Sequence, residues 1–142
     1  MSGPTIAFSP GEPLPGLDAT LGIIYDELTG NSVRGRLVVT DGHKQPAGLV
    51  HGGVYAAIGE SAAAYGTFSA IADDGKVPLG ISNSTSFLRP ISSGSIGISA
   101  EPRHTGRTTW VWDVEMSDDD GRLCAVSRVT VAIRETRPPA GG

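Results

Sequence analysis

The chain has very little cysteine. Cys124 stands alone among 142 residues, so no internal disulfide and no cysteine-based zinc site can form. Charge is also sparse, at 18% of residues, and Lys occurs only twice. The net charge of −4 leaves no basic face for nucleic acid. Long apolar runs are missing too. The longest stretch without a charge, Gln45 to Gly59, is broken by glycines and a histidine and cannot span a bilayer as a helix. The opening MSGPTIAFSP has neither a basic lead nor an apolar segment, so no secretion signal is expected and the expected location is the cytoplasm. Against these absences stand 39% apolar residues and a length that suits one packed domain, expected over 1–142.

Proline and glycine crowd residues 1–16 and the tail after Arg137, so 1–16 and 138–142 read as loose arms. Between them the hydrophobic period predicts strand, strand, helix and four strands. Leu21–Leu28 and Val33–Thr40 form a hairpin across Thr29-Gly30-Asn31-Ser32. A helix is expected from about Gly53 to Ala72, rich in alanine, with Val54, Ile58, Tyr65 and Phe68 at helical spacing. The period then switches to two, over Leu79–Leu88, Ile96–Pro102, Arg107–Ser117 and Arg122–Arg134. The short links between these strands predict consecutive antiparallel neighbours. One helix must serve the whole sheet, so the sheet is expected to curl round it. Gly52, Gly59 and Gly66 recur every seven residues and nearly align along the helix, which suggests a close backbone approach. The second sheet face has no helix left to cover it. It is either polar and solvated or buried in an oligomer, and an oligomer is the expectation.

Glu60 is the one formally charged residue between Gln45 and Ala72. Its helical neighbours are Ala56, Ala57, Ala63 and Ala64, and no Lys or Arg lies at i±3 or i±4. It is either a functional carboxylate or a glutamate hydrogen-bonded to backbone or to a partner subunit. Upstream, His51-Gly52-Gly53 opens the helix with N–H groups that no side chain obstructs, at the positive end of the dipole. Such donors suit an oxyanion or a polarised carbonyl. Glu60 follows His51 by nine residues, about 13.5 Å along one continuous helix. Either the helix starts later than it reads, or the donors and the acid that share one site come from different subunits.

The stretch Gln45-Pro46-Ala47-Gly48-Leu49-Val50-His51-Gly52-Gly53, followed by Glu60-Ser61, resembles the hot-dog-fold acyl-CoA thioesterases of the phenylacetate-degradation branch. It is similar to the 4-hydroxybenzoyl-CoA thioesterases with a helix glutamate and to the 1,4-dihydroxy-2-naphthoyl-CoA thioesterases. The resemblance continues through Asn83–Pro90, Gly106–Trp110 and Asp120–Ala125. It implies an α+β fold, a curved antiparallel sheet of about six strands wrapped round one long central helix. It implies Glu60 as nucleophile or general base, Gly52 N–H as oxyanion donor, Gln45 placing the thioester or water, and His51 orienting the loop or acting near the leaving thiol. Arg89, Arg107 and Thr108 would contact the nucleotide end of coenzyme A, and Ser61 and Ala64 would line the substrate site. Ala64 departs from the pattern, because relatives carry a hydroxyl there that helps hold the attacking water. No metal and no separate cofactor is expected, coenzyme A being part of the substrate. The expected assembly is a homo-oligomer, a tetramer built from dimers with sites at subunit interfaces. Two other readings compete: a non-catalytic acyl-CoA binding or sensing module, and a hydratase or dehydratase on the same scaffold.

Overall fold

The computed structural model describes residues 7–136. A short helix α1 (Leu17–Leu21) leads into β1 (Ile23–Leu28) and β2 (Val33–Val38). The long helix α2 (Gly52–Ile71) follows, and then β3 (Lys76–Phe87), β4 (Ser95–Thr105), β5 (Thr109–Ser117) and β6 (Leu123–Glu135). The six strands form one antiparallel sheet in the order β1-β2-β4-β5-β6-β3. This is the hot-dog arrangement, with α2 lying on the sheet as its central helix. No helix among the described residues is long and apolar enough to cross a membrane.

Three expectations change. Leu21 belongs to α1 and not to the first strand, because Gly22 adopts φ 81° and closes that helix with a left-handed cap. β3 and β4 are not neighbours either: β3 pairs with β6 at the far edge of the sheet. The link between β3 and β4 carries Pro90 and crosses the sheet end without turning back. The N–H groups of Leu88 and Arg89 both donate to Cys124 O, at 2.8 and 3.1 Å, and carry the chain past β6. Val39 N–H donates to Gly94 O and delivers the link beside β2. The expected loose arm is also tied down where it is described. Leu14 is buried and Gly11 N–H donates to Tyr25 O. The expected tail arm, 138–142, lies outside the described residues.

The core fills the space between α2 and the inner sheet face. Ile58, Ala62 and Ala63 of α2 meet a sheet surface built by Trp112, Val114, Met116, Val129 and Val131, all buried. Gly59 and Gly66 are the points of closest approach. A Cβ on Gly66 would stand 2.5 Å from Trp112 Cη2, and one on Gly59 2.5 Å from Ser127 Oγ. The Trp112 indole is held there by Thr67, whose Oγ1 accepts from Nε1 at 2.9 Å and donates to Ala63 O at 2.7 Å.

The outer sheet face is polar. Arg34 pairs with Glu101, Arg36 with Asp26, and Arg103 and Arg128 both with Asp113. Exposed pairs of this kind contribute little to stability. They do explain why this face needs no cover. Four of the seven exposed large apolar side chains among the described residues gather instead along β3 and just beyond it, where Leu79, Ile81, Phe87 and Leu88 are all more than half exposed, while Leu17, Val38 and Leu123 lie elsewhere. The uncovered apolar surface is therefore an edge and not a face.

Candidate active site

The site begins at the N-terminus of α2. His51 is the N-cap, with extended backbone (φ −65°, ψ 137°), and its Nδ1 accepts the Gly53 N–H at 2.8 Å. That bond places the proton of the neutral imidazole on Nε2, which faces outward on an exposed side chain. Val54 N–H is taken by His51 O. Gly52 N–H finds no acceptor among the described residues, so it stands open at the positive end of the helix. The preceding loop is braced internally. Gln45 Oε1 accepts from Ala47 N–H at 2.6 Å, which leaves the two N–H groups of its Nε2 for another partner. Gly48 turns the loop at φ 87°, where a side chain would be strained.

Glu60 sits two turns further along. α2 runs unbroken from Gly52, so the alternative of a later helix start falls away. Eight residues separate Gly52 from Glu60, about 12 Å of axial rise. Within one chain the two cannot address the same carbonyl. In the single chain Glu60 is exposed, although alanines surround it on the helix. Ala56, Ala57 and Ala64 around it are only half-buried, because nothing in the same chain covers that strip of the helix. The carboxylate has no ion-pair partner among the described residues. It lies over the backbone of β3 at Gly80, where a Cβ would come within 2.9 Å of Oε1.

The hydroxyls near Glu60 are committed elsewhere. Ser61 Oγ donates to Asp18 Oδ1, tying α1 to α2. Thr67 serves Trp112, as described. Neither replaces the hydroxyl missing at Ala64. Asp18, which sequence reasoning passed over, is 1% exposed, and among the described residues its Oδ2 has no hydrogen-bond partner, as is true of the neighbouring Tyr25 hydroxyl. Burial raises the Asp18 pKa above the usual 3.8, with the Ser61 bond opposing. The folded state therefore holds this proton at pH values where the unfolded chain has lost it. Stability must fall as pH rises from 3.8 through the raised value. Asp18→Asn keeps an acceptor for Ser61 and removes the charge. The variant is expected to be more stable than the wild type at neutral pH and to lose this part of the pH dependence, as read by denaturant unfolding between pH 4 and 8.

Asn83 was also missed. Its Nδ2 donates to Ala56 O at 2.9 Å, one turn before Glu60, and so clamps α2 to β3. A polar residue within a strand was its only sequence signal.

The remaining candidates do not gather in one chain. Arg89 follows β3 near the start of α2, where the Phe87 ring stands over Gly52. Arg107 lies in the β4–β5 turn, next to Thr108, and lines a cavity of about 360 Å³ with Ala70, Ile71, Lys76 and Trp110 at the other end of α2. A 20-residue helix, about 30 Å long, separates the two arginines. Arg89, Arg107 and Thr108 are all exposed. No cluster of His, Cys, Asp and Glu among the described residues could hold a metal ion.

The chain is 37% identical over 137 residues to Rv1847 of Mycobacterium tuberculosis, covering 92% of this chain and 98% of the relative. The structure of that protein superposes with a TM-score of 0.81 and covers 85% of this chain and 98% of its own. A 1,4-dihydroxy-2-naphthoyl-CoA hydrolase of Listeria monocytogenes is 31% identical over 122 residues, 86% of this chain and 98% of the relative. SAV0944 of Staphylococcus aureus is 33% identical with a TM-score of 0.82, covering 85% of this chain and 100% of its own. It has been solved with a glutamate changed to alanine and, as a thioesterase enzyme, with a glutamine changed to alanine. Those positions are 15 residues apart, the separation of Gln45 and Glu60 here. Residues 47–125, which carry the His51 cap, Gly52 and Glu60, match the thioesterase superfamily, and with the hot-dog sheet round α2 they make this chain a member of that superfamily.

Proposed function

We propose that the protein hydrolyses acyl-CoA thioesters to a free acid and coenzyme A, with aromatic or medium-sized acyl groups as substrates. The observation that carries this reading is a Glu60 carboxylate and a Gly52 helix N–H, both without a partner among the described residues and about 12 Å apart along one helix. The two become one site when a second copy of the chain supplies the other half. β3 supports such a pairing. It is an edge strand whose exposed Leu79 and Ile81 flank the Glu60 seat. An edge of that kind is open to another strand, and a two-fold axis there makes each interface reciprocal.

In this dimer Gly52 N–H of one subunit polarises the thioester carbonyl, and Glu60 of the other acts on its carbon. Glu60 either adds to the carbonyl or takes a proton from a water that adds. The carbonyl pair moves onto oxygen, where Gly52 N–H stabilises it. As it returns to re-form C=O, the C–S bond breaks and the thiolate leaves with the C–S bonding pair. In the base route the proton taken by Glu60 passes to sulfur; in the nucleophile route one water then cleaves the mixed anhydride, which frees the acid, restores the Glu60 carboxylate and supplies the proton to the thiolate. Gln45 Nε2 positions the thioester or the water, and His51 Nε2–H lies near the leaving thiol. Arg89, Arg107 and Thr108 bind the phosphates of coenzyme A, for which guanidinium forks and hydroxyls are suited. Ser61, through Asp18, and Ala64 shape the acyl side. Coenzyme A is part of the substrate and no other cofactor takes part. The assembly is a tetramer built from two such dimers in the cytoplasm, with no nucleic-acid or membrane partner. The finer placement is in the phenylacetate-degradation branch, near the enzymes for 4-hydroxybenzoyl-CoA and 1,4-dihydroxy-2-naphthoyl-CoA. The last activity is that named for the Listeria monocytogenes relative.

Ala64, with Ser61 and Thr67 both committed, favours one competing reading, an acyl-CoA binding module without turnover. A thiol-release screen over benzoyl, phenylacetyl and fatty acyl-CoA esters separates the two. Release above the uncatalysed rate is expected, and binding without release on every ester selects the module. In the same assay Arg89→Ala is expected to raise KM for CoA esters about tenfold, the loss of one charge-assisted contact, and to leave an N-acetylcysteamine thioester unaffected. Equal effects on both substrates remove Arg89 from the nucleotide contact.

A further inference from the structure

We infer that the bulge of β3 at Ile81 is a device that places the Glu60 carboxylate, with Gly80 as its positioning residue. This rests on the proposed role of Glu60 and adds the element that aims it. The register between β3 and β6 runs Gly80↔Val131 and then Ser82↔Thr130, so Ile81 is an extra residue in β3 alone. One extra residue reverses which side chains face the helix. Beyond the bulge the helix-facing residues are odd-numbered. Asn83 holds Ala56 O, Thr85 bonds Ser127 Oγ beside Gly59, and the Phe87 ring covers Gly52. Before the bulge the parity is even, and Gly80 faces Glu60. A regular strand fitted to Asn83, Thr85 and Phe87 would turn Gly80 away and present Ile81, a branched side chain, where the carboxylate lies.

Glycine at position 80 then has a specific use. Its backbone does not adopt positive φ, so no turn geometry demands glycine there. What excludes a side chain is Glu60: a Cβ would stand 2.9 Å from Oε1 and 3.7 Å from Cδ. The obstructed atoms are the far end of a flexible, exposed side chain. The fold can therefore absorb Gly80→Ala by moving Glu60, while the chemistry cannot. Asn83 fixes the helix turn before Glu60 to the same strand, so the strand sets the base of this side chain and its tip together.

The test is Gly80→Ala assayed by thiol release on the acyl-CoA ester turned over fastest by the wild type. The expected result is a kcat lower by about 10–100-fold, the scale of a displacement near 1 Å. KM should stay within about twofold and Tm within about 3 °C, as for a change that leaves packing intact. A cycle with Glu60→Asp supplies a second readout. Shortening the acid by one methylene withdraws it from the new methyl, so Glu60→Asp should cost less in the Gly80→Ala background than in the wild type. Both chains of that comparison carry any folding defect of Gly80→Ala, so their ratio reports position alone. Wild-type kcat in Gly80→Ala, or strictly additive losses in the cycle, overturns the inference while Glu60 keeps its role. Wild-type turnover in Glu60→Gln overturns the role of Glu60 and this inference with it.

Discussion

Glu60→Gln is expected to lower turnover at least about 10²-fold, the low end for loss of a general base, and further if the carboxylate is the nucleophile. The change keeps the shape and volume of the side chain. It leaves the fold alone, because Glu60 is exposed and makes no ion pair among the described residues. Exposed substitutions of this kind shift stability by at most about 0.5 kcal/mol. Its effect therefore reads chemistry and not folding. The carboxamide still accepts and donates hydrogen bonds, so substrate affinity should hold and the loss should fall on kcat. Steady-state thiol release with a parallel unfolding curve checks both halves. Turnover near wild type rejects the carboxylate as catalyst.

The second large effect comes from mixing two inactive chains. Gln45 and Gly52 lie at the N-terminus of α2 and Glu60 about 12 Å along it, so a complete site takes them from different subunits. Gln45→Ala and Glu60→Gln should each be slow as homodimers, because every site then carries one defect. In a mixed dimer both defects fall in one site and the other site is intact. Random exchange makes half the dimers mixed, each with one good site of two, so about a quarter of wild-type activity should return. That is a rise of more than about tenfold over either parent at the loss expected for a missing catalytic group. Subunits unfolded and refolded together, against the same proteins refolded separately, provide the measurement. No recovery in refolded mixtures that size-exclusion with light scattering shows to have the wild-type oligomeric state places both groups in one subunit's site and defeats the shared-site reading.

Much of the fold was legible because it depends on local rules. The period-two strands, the Thr29–Ser32 turn and the alanine-rich helix all followed from patterning, and the helix was placed to within a residue at each end. The glycine heptad pointed to a close approach, and Gly59 and Gly66 sit against Ser127 and Trp112 with no space for a methyl group. What failed was pairing between distant segments. The β3–β4 link looks like a turn in sequence, yet β3 lies against β6, from which residues 88–122, 35 of them, separate it. Gly80 and Asn83 were invisible as partners of α2 for the same reason. A bulge has no sequence mark of its own, and a single inserted residue changes which half of a strand meets the helix.

The sequence by itself determined the order of elements, the cap at His51, the open N–H at Gly52 and the isolation of Glu60 from any basic neighbour on its helix. All of these follow from contacts within a few residues, which local chemistry dictates. Only the tertiary structure decided that Glu60 lies on the β3 backbone at Gly80, that Ser61 and Thr67 are spent on Asp18 and Trp112, and that Arg89 and Arg107 stand at opposite ends of α2. It also moved the uncovered apolar surface from a sheet face to a strand edge. These depend on register and strand order, which are set by how the whole core packs and by where one extra residue interrupts the ladder.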